Sequence, residues 1–194
     1  MPKALIIDCC IRRDDSRTRK LLDAFTKHLS DAWEKETLCL MDEDLKPLVN
    51  DFYEERQTLL EQGERNHPRF RYAWQMRNAD LVVMAAPFWD MSFPSLLKIY
   101  IENCSVDGIT FHSDETGLVG DCRAGGLIYL TTRGGFYTGD PMEQAVPYLE
   151  SIARFWNLGK VEVIAADGMD VAGTNPEKRL EEAVQKAVRK AESL

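Results

Sequence analysis

The run Leu81-Val82-Val83-Met84-Ala85-Ala86 is the clearest structural signal in the chain, and it stops at Pro87. An uninterrupted apolar run of this length, without polar alternation, is typical of a strand that is covered on both faces. Such strands belong to parallel sheets, because the crossovers between parallel strands place helices on both sides. The run therefore predicts a central strand of an α/β protein.

Shorter apolar runs predict four further strands, at residues 4–7, 37–41, 127–130 and 161–164. Apolar residues between these runs recur at spacings of three and four, which predicts amphipathic helices. One helix follows Ser16, and another begins near Pro94. Two more are marked by Met142, Val146, Leu149, Ala153 and Trp156, and by Leu180, Val184, Ala187 and Ala191. Residues 50–79 are also expected to be helical, with breaks near Gly63 and Pro68.

The repeated alternation of strand and helix predicts an α/β fold: a doubly wound five-stranded parallel sheet with helices on both faces. The chain shows no internal repeat and no linker-like stretch. We therefore expect residues 1–194 to form a single domain, a normal size for 194 residues.

Composition narrows the function. The net charge of −8 and the pI near 5.0 argue against nucleic acid or an anionic membrane as the main partner, because both attract basic surfaces. No apolar stretch is long enough for a membrane span or a signal peptide. The five cysteines have no CxxC spacing and the three histidines form no metal-binding pair. We expect reduced thiols, a cytoplasmic location, no metal and a small-molecule partner.

Ligands of doubly wound sheets bind beyond the carboxyl ends of the strands. The loop after the first strand, residues 9–18, contains no glycine. This argues against the dinucleotide and nucleoside-triphosphate loops, in which glycine lets the backbone approach phosphate. Ser16 and Thr18 can still help to hold an anion at the start of the following helix, although Ser16 can equally be a simple helix cap.

The loops after the third and fourth strands have a different character. The first reads Pro87-Phe88-Trp89-Asp90-Met91-Ser92-Phe93-Pro94 and offers an aromatic rim for a planar ligand. The second reads Thr131-Thr132-Arg133-Gly134-Gly135, where paired glycines allow close backbone approach and Arg133 can stabilise a developing anion. For the first loop, the alternative is that the aromatic side chains fold under the loop as part of the core. For the second loop, the alternative is that the glycines form a plain turn.

In this order and spacing, these three loops resemble those of the flavodoxin-like FMN-dependent NAD(P)H:quinone oxidoreductases, and most of all the NADH-azoreductases. The segment Pro94-Ser95-Leu96-Leu97-Lys98 and the later Gly108-Ile109-Thr110-Phe111 extend the similarity. The resemblance implies a flavodoxin-like fold, FMN as cofactor, NADH or NADPH as co-substrate, an aromatic quinone, azo or nitro acceptor, and a homodimer.

The resemblance also implies a set of cofactor-binding residues. Cys10, Ser16, Arg17 and Thr18 would lie around the phosphate. The isoalloxazine would meet Pro87, Phe88, Trp89, Asp90 and Met91, with Thr132, Arg133, Gly134 and Gly135 along its pyrimidine edge. No catalytic side chain is required, because solvent can protonate the reduced product; Arg133 and His112 are the candidates if one acts.

The sequence departs from the family at three places. Cys9-Cys10 stands where a serine is common, and a thiol is a weaker donor to phosphate. Asp90 replaces a usual asparagine, and the hairpin reads Phe111-His112-Ser113 in place of aromatic-basic-aromatic. The choice of nicotinamide, the physiological acceptor and the role of the two cysteines stay open.

Two other functions fit parts of the pattern. A low-molecular-weight tyrosine phosphatase would use a cysteine loop and an Asp-Pro acid, but Asp14 and Asp15 would raise the pKa of the nucleophilic thiol. A non-catalytic flavodoxin-type electron carrier would bind FMN without a nicotinamide site. Residues 50–79 and the 108–120 hairpin argue against a carrier, because they can form a wall of a substrate pocket. The other wall of such a pocket can come from a second subunit.

Overall fold

A computed structural model describes residues 1–194 and contains seven strands and six α-helices. The strands are β1 (Lys3–Asp8), β2 (Glu34–Cys39), β3 (Leu81–Ala85), β4 (Phe111–Asp114), β5 (Gly117–Gly120), β6 (Gly126–Thr132) and β7 (Lys160–Ala166). The helices are α1 (Arg17–His28), α2 (Asn50–Glu61), α3 (Arg71–Asn78), α4 (Ser95–Cys104), α5 (Ala145–Trp156) and α6 (Pro176–Glu192). No helix is both long enough and apolar enough to cross a membrane.

Five strands form one parallel sheet in the order β2-β1-β3-β6-β7. The chain leaves β1 towards β2 on one side and then returns to β3 on the other, so the winding direction reverses between β1 and β3. This confirms the predicted doubly wound sheet. It also places the crevice used by ligands of such sheets at the carboxyl ends of these two strands.

The two faces of the sheet carry separate cores. In β1, Leu5 and Ile7 face the core beneath α3, α4 and α5, while Ala4 and Ile6 face the core beneath α1 and α6. Successive side chains of a strand point to opposite faces, so strands covered on both faces need apolar residues at every position. This is why β1 and β3 appear in the sequence as continuous apolar runs.

Two predicted boundaries were wrong. The second strand was expected at residues 37–41, but β2 covers Glu34–Cys39 and Leu40–Asp42 forms a 3₁₀ turn. Because β2 is an edge strand with exposed charged residues, its apolar run does not mark its limits. Met142 was expected in the helix marked by Trp156, but it precedes α5 and is exposed.

The β4–β5 hairpin lies outside the main sheet, at its amino-terminal edge. The Cys122 N–H donates to the Trp156 carbonyl at 3.0 Å, at the end of α5. Phe111 packs on Phe155 with ring centroids 4.6 Å apart, and Gly120 leaves no room for a Cβ against the backbone of Trp156. The base of the hairpin is therefore fixed at the end of the sheet opposite the crevice.

Candidate functional site

A cleft opens at the carboxyl ends of β1, β3 and β6. Its volume is about 140 Å³, less than the range of about 300–1,000 Å³ for typical small-molecule sites, so a ligand of that size would extend into the open mouth of the cleft. The residues that line it are Arg12, Ser16, Arg17, Pro87, Phe88, Trp89, Thr132, Arg133, Gly134, Met169 and Asp170. The structure thus brings the three predicted loops together at one end of the sheet.

The first wall of the cleft is the start of α1. Ser16 caps this helix by accepting a hydrogen bond from the Arg19 N–H at 3.4 Å, and the first N–H groups of a helix have no intrahelical partner. Thr18 is fully buried and shares a hydrogen bond of 2.8 Å with Thr132 across the strand ends. Thr18 therefore joins two of the loops rather than lining the cleft.

The glycine-free loop reaches α1 through a short 3₁₀ turn that begins at Arg13, whose φ is +52°. Glycine adopts such a φ most easily, and here the turn is braced by ion pairs instead. Arg13 donates to both carboxylate oxygens of Asp42, at 2.6 and 3.3 Å. Asp8 is 2% exposed and pairs with Arg19 at 2.6 Å while accepting the Cys10 N–H. The glycine-free loop is therefore flanked by two ion pairs, Arg13–Asp42 and Arg19–Asp8.

The second wall is the loop after β3. Trp89 and Ser92 exchange two main-chain hydrogen bonds of 3.1 and 2.8 Å around Asp90 and Met91, whose φ angles are +48° and +63°. Two positive φ angles define a type I′ turn, which tolerates Asp or Asn better than most residues. The conformation therefore explains an acidic or amide residue at position 90. Asp90 and Met91 lie outside the cleft lining.

Aromatic rings form the rim of this wall. Phe88 packs against Tyr137 with ring centroids 4.6 Å apart, and Trp89 lines the cleft while 43% of it stays exposed. Trp89 is therefore not folded under the loop as part of the core, which was the alternative for these aromatics. A planar ligand would find an apolar surface there, backed by the Phe88–Tyr137 pair.

The third wall is the turn after β6, which pairs with the segment after β7. The carbonyls of Arg133, Gly134 and Gly135 accept hydrogen bonds of 3.1, 3.0 and 2.8 Å from the N–H groups of Met169, Asp170 and Gly168 respectively. The N–H groups of Gly134 and Gly135 have no partner within the chain. A Cβ at Gly134 would lie 2.9 Å from an Asp170 carboxylate oxygen. The turn is therefore narrow, and its N–H groups are free for a polar ligand edge.

Arg133 has a different role from the one expected. Its side chain is 2% exposed and lies between two acidic groups, 3.5 Å from Glu143 and 3.4 Å from Asp167. Glu143 also accepts the first N–H groups of α5, and Asp167 accepts those of Tyr137 and Thr138. Two carboxylates offset the single guanidinium charge. Arg133 therefore braces the loop between β6 and α5 and is not a free positive charge beside a ligand.

Cys10, expected near the phosphate, has its side chain in the core, where Sγ approaches the Ala85 carbonyl at 3.9 Å. Burial, followed by the nearby Asp8 carboxylate, raises the pKa of the Cys10 thiol and raises that of Cys9 to about 12. Both thiols stay protonated at neutral pH. This removes the basis for a thiolate nucleophile and hence for the phosphatase alternative.

His112 lies on β4, at the edge of the sheet opposite the cleft, and its Nδ1 is 2.8 Å from Asp121. It cannot reach the cleft of its own chain. Sequence reasoning also missed three lining residues, Arg12, Met169 and Asp170. The last two follow the predicted fifth strand, so extending the same strand-end rule to that strand would have found them.

Comparison with known proteins places the chain among flavin-dependent reductases. A family model described as a flavodoxin-like fold matches residues 2–191. An FMN-dependent NADH:quinone oxidoreductase of Clostridium perfringens is 34% identical over 192 residues, 97% of each chain. One from Clostridium acetobutylicum is 34% identical over 186 residues, 92% of each. An FMN-dependent NADH-azoreductase from Bacillus anthracis, solved with FMN, has a TM-score of 0.84 at 23% identity over 100% of this chain and 99% of that one; it supports the fold.

The burial of the thiols predicts their reactivity. Cys39 is half-buried whereas the other four cysteines are buried, so one thiol per native chain should react with a disulfide reagent at pH 8. Burial raises the pKa of Cys39 as well, and its rate should therefore rise steadily with pH. Cys39→Ser should abolish the fast phase. Fast reaction of two or more thiols in the native chain would contradict this assignment.

The buried charges around Arg133 predict a large stability effect. Arg133→Met leaves Glu143 and Asp167 without their shared cation and should lower the free energy of unfolding by about 3–5 kcal/mol. Arg123→Met removes an exposed pair with Asp80 and should cost less than about 1 kcal/mol. Urea denaturation of both variants tests the contrast. Equal, small losses would show that Arg133 does not brace the loop.

Proposed function

The chain belongs to the flavodoxin-like family of FMN-dependent NADH:quinone oxidoreductases, and from that premise we propose that it binds FMN in the cleft and reduces quinones or azo and nitro aromatics with NADH. The overall reaction transfers a hydride and a proton: NADH, a proton and a quinone give NAD⁺ and the quinol. Bound FMN supplies the alternating hydride transfer, accepting from the nicotinamide and giving to the acceptor.

The walls of the cleft match the parts of FMN. The start of α1 offers free N–H groups, the Ser16 hydroxyl and two arginines, Arg12 and Arg17, for a phosphate. Phe88 and Trp89 offer an aromatic surface to the ring system. The free N–H groups of Gly134 and Gly135 suit a polar ring edge on which negative charge develops. This last observation supports the proposal best, because the guanidinium of Arg133 is already neutralised.

The same residues leave proton transfer to solvent. The only carboxylate that lines the cleft is Asp170, and it is paired with Arg17 at 2.7 Å. No histidine lines the cleft. Its mouth is open to water, so a reduced acceptor can be protonated there without a dedicated side chain.

We also propose a single domain, a cytoplasmic location and NADPH as a second donor. The family model covers residues 2–191 as one match, which supports a single domain. Five free cysteines fit a reducing, cytoplasmic compartment. NADPH remains a second possible donor, and initial rates with the two nicotinamides would separate them.

The flavin proposal predicts a yellow protein that oxidises NADH only when a quinone or azo dye is present. Initial rates at several concentrations of both substrates should give parallel double-reciprocal lines. FMN binding without NADH oxidation would instead support the electron-carrier alternative. A protein that neither quenches FMN fluorescence nor oxidises NADH would exclude both.

Phe88→Ala tests the placement of the ring. It should weaken binding of FMN about 5- to 12-fold, the loss expected from about 1–1.5 kcal/mol of aromatic contact. Phe111→Ala is the matched control, because Phe111 packs on Phe155 at the same 4.6 Å centroid distance but at the opposite edge of the sheet. Its FMN affinity should stay near that of the unaltered chain.

We also propose a homodimer. The hairpin residues 111–120 are fixed away from the cleft of their own chain, so they can wall a cleft only in a second copy. Leu118 on this hairpin is 63% exposed, which fits an apolar contact with a partner. Sedimentation should give about 44 kDa, twice the 22.1 kDa chain, and Leu118→Asp should shift the protein towards the monomer. A monomeric parent chain would remove this part of the proposal.

A further inference from the structure

The arginines that surround the start of α1 differ in whether they are paired. Arg13 is paired with Asp42, Arg17 with Asp170, and Arg19 with Asp8 and Asp23. Arg12 lines the cleft and makes no ion pair or hydrogen bond through its side chain. Three arginines line the cleft. Arg12 is free, whereas Arg17 and the enclosed Arg133 already have acidic partners.

The acidic partner, Asp170, is held in place by its own backbone. Its N–H donates to the Gly134 carbonyl at 3.0 Å, and its carboxylate lies beside Gly134, close enough that a Cβ there would be 2.9 Å away. The Arg17–Asp170 pair of 2.7 Å thus links the first residue of α1 to the segment after β7. Both side chains line the cleft.

We infer that Asp170 determines how strongly the site prefers a phosphorylated flavin, because it competes with the phosphate for Arg17. This rests on the proposed binding of FMN. A phosphate at the start of α1 carries a charge of about −1.5 to −2 at neutral pH. It must take the Arg17 guanidinium from Asp170 and remain near that carboxylate, whereas Arg12 is available without any exchange.

The effect of Asp170 on binding differs between the two flavins, FMN and riboflavin. Asp170 weakens the binding of FMN but not of riboflavin, which has the same ring system and no phosphate. Its effect is moderate, because 43% of the Arg17 side chain and 67% of the Asp170 side chain are exposed and solvent screens such charges. Asp170 therefore keeps FMN exchangeable where an uncharged residue would retain it more tightly.

Asp170→Asn is the direct test, with Glu34→Gln as its control. Glu34 also pairs with a cation, Lys3, at 3.4 Å and with 55% exposure, but it lies at the start of β2, at the end of the sheet opposite the cleft. Both variants change the net charge from −8 by one unit, so a long-range charge effect would appear equally in both. Quenching of flavin fluorescence gives Kd for FMN and for riboflavin in each protein.

We expect Asp170→Asn to lower the Kd of FMN about 2- to 5-fold, the range for a half-exposed charge contact. Riboflavin should be unaffected, and Glu34→Gln should change neither Kd. In the Arg17→Gln background, the gain from Asp170→Asn should shrink, because there is no guanidinium left to compete for. Arg12→Gln should raise the Kd of FMN and leave that of riboflavin unchanged.

Several results would overturn the inference. Weaker FMN binding in Asp170→Asn would show that the carboxylate supports the site. Equal changes for FMN and riboflavin, or equal changes in Asp170→Asn and Glu34→Gln, would show that the phosphate is not the target. An unaltered chain that binds neither flavin would overturn the proposed function itself, whereas FMN binding that is insensitive to Asp170→Asn would overturn this inference alone.

Discussion

The whole site depends on how two loops pair beyond the ends of β6 and β7. Three successive carbonyls, those of Arg133, Gly134 and Gly135, are used by N–H groups of residues 168–170. The N–H groups of Gly134 and Gly135 have no partner in the chain, and of these two residues Gly134 lines the cleft. The same pairing fixes Asp170 beside Arg17, so it determines both the polar edge for the ring and the charge balance at the phosphate end.

Buried ion pairs hold this arrangement in place of glycine-rich turns. Arg133 is enclosed with Glu143 and Asp167, and Asp8 is enclosed with Arg19. Such pairs give little net stability but are costly to break, because a lone charge would be left away from water.

The sequence was sufficient for the parallel sheet and for the location of the cleft, because continuous apolar runs mark β1, β3 and β6 and parallel strands end at one edge. It was insufficient for the role of Arg133. Proximity to two glycines suggested a ligand contact, and only tertiary structure shows Glu143 and Asp167 around the guanidinium. The position of the Cys10 side chain was missed for a similar reason, because a residue just after a strand can point into the core as easily as into the cleft. The predicted limits of β2 were wrong because an edge strand carries polar residues, so its apolar run does not mark its ends.

Charge balance explains why the local arginines matter in an acidic protein. A net charge of −8 repels an anionic ligand at long range, but salt screens this repulsion beyond about 8–10 Å. Three arginines and one carboxylate, that of Asp170, line the cleft. Arg133 is already offset by two enclosed carboxylates, so Arg12 and Arg17 against Asp170 leave a local excess of one positive charge. The free Arg12 and the helix start supply attraction, and Asp170 limits it. An aromatic acceptor without charge would not be affected by this balance, so the site can attract a phosphorylated cofactor while staying open to neutral, planar substrates.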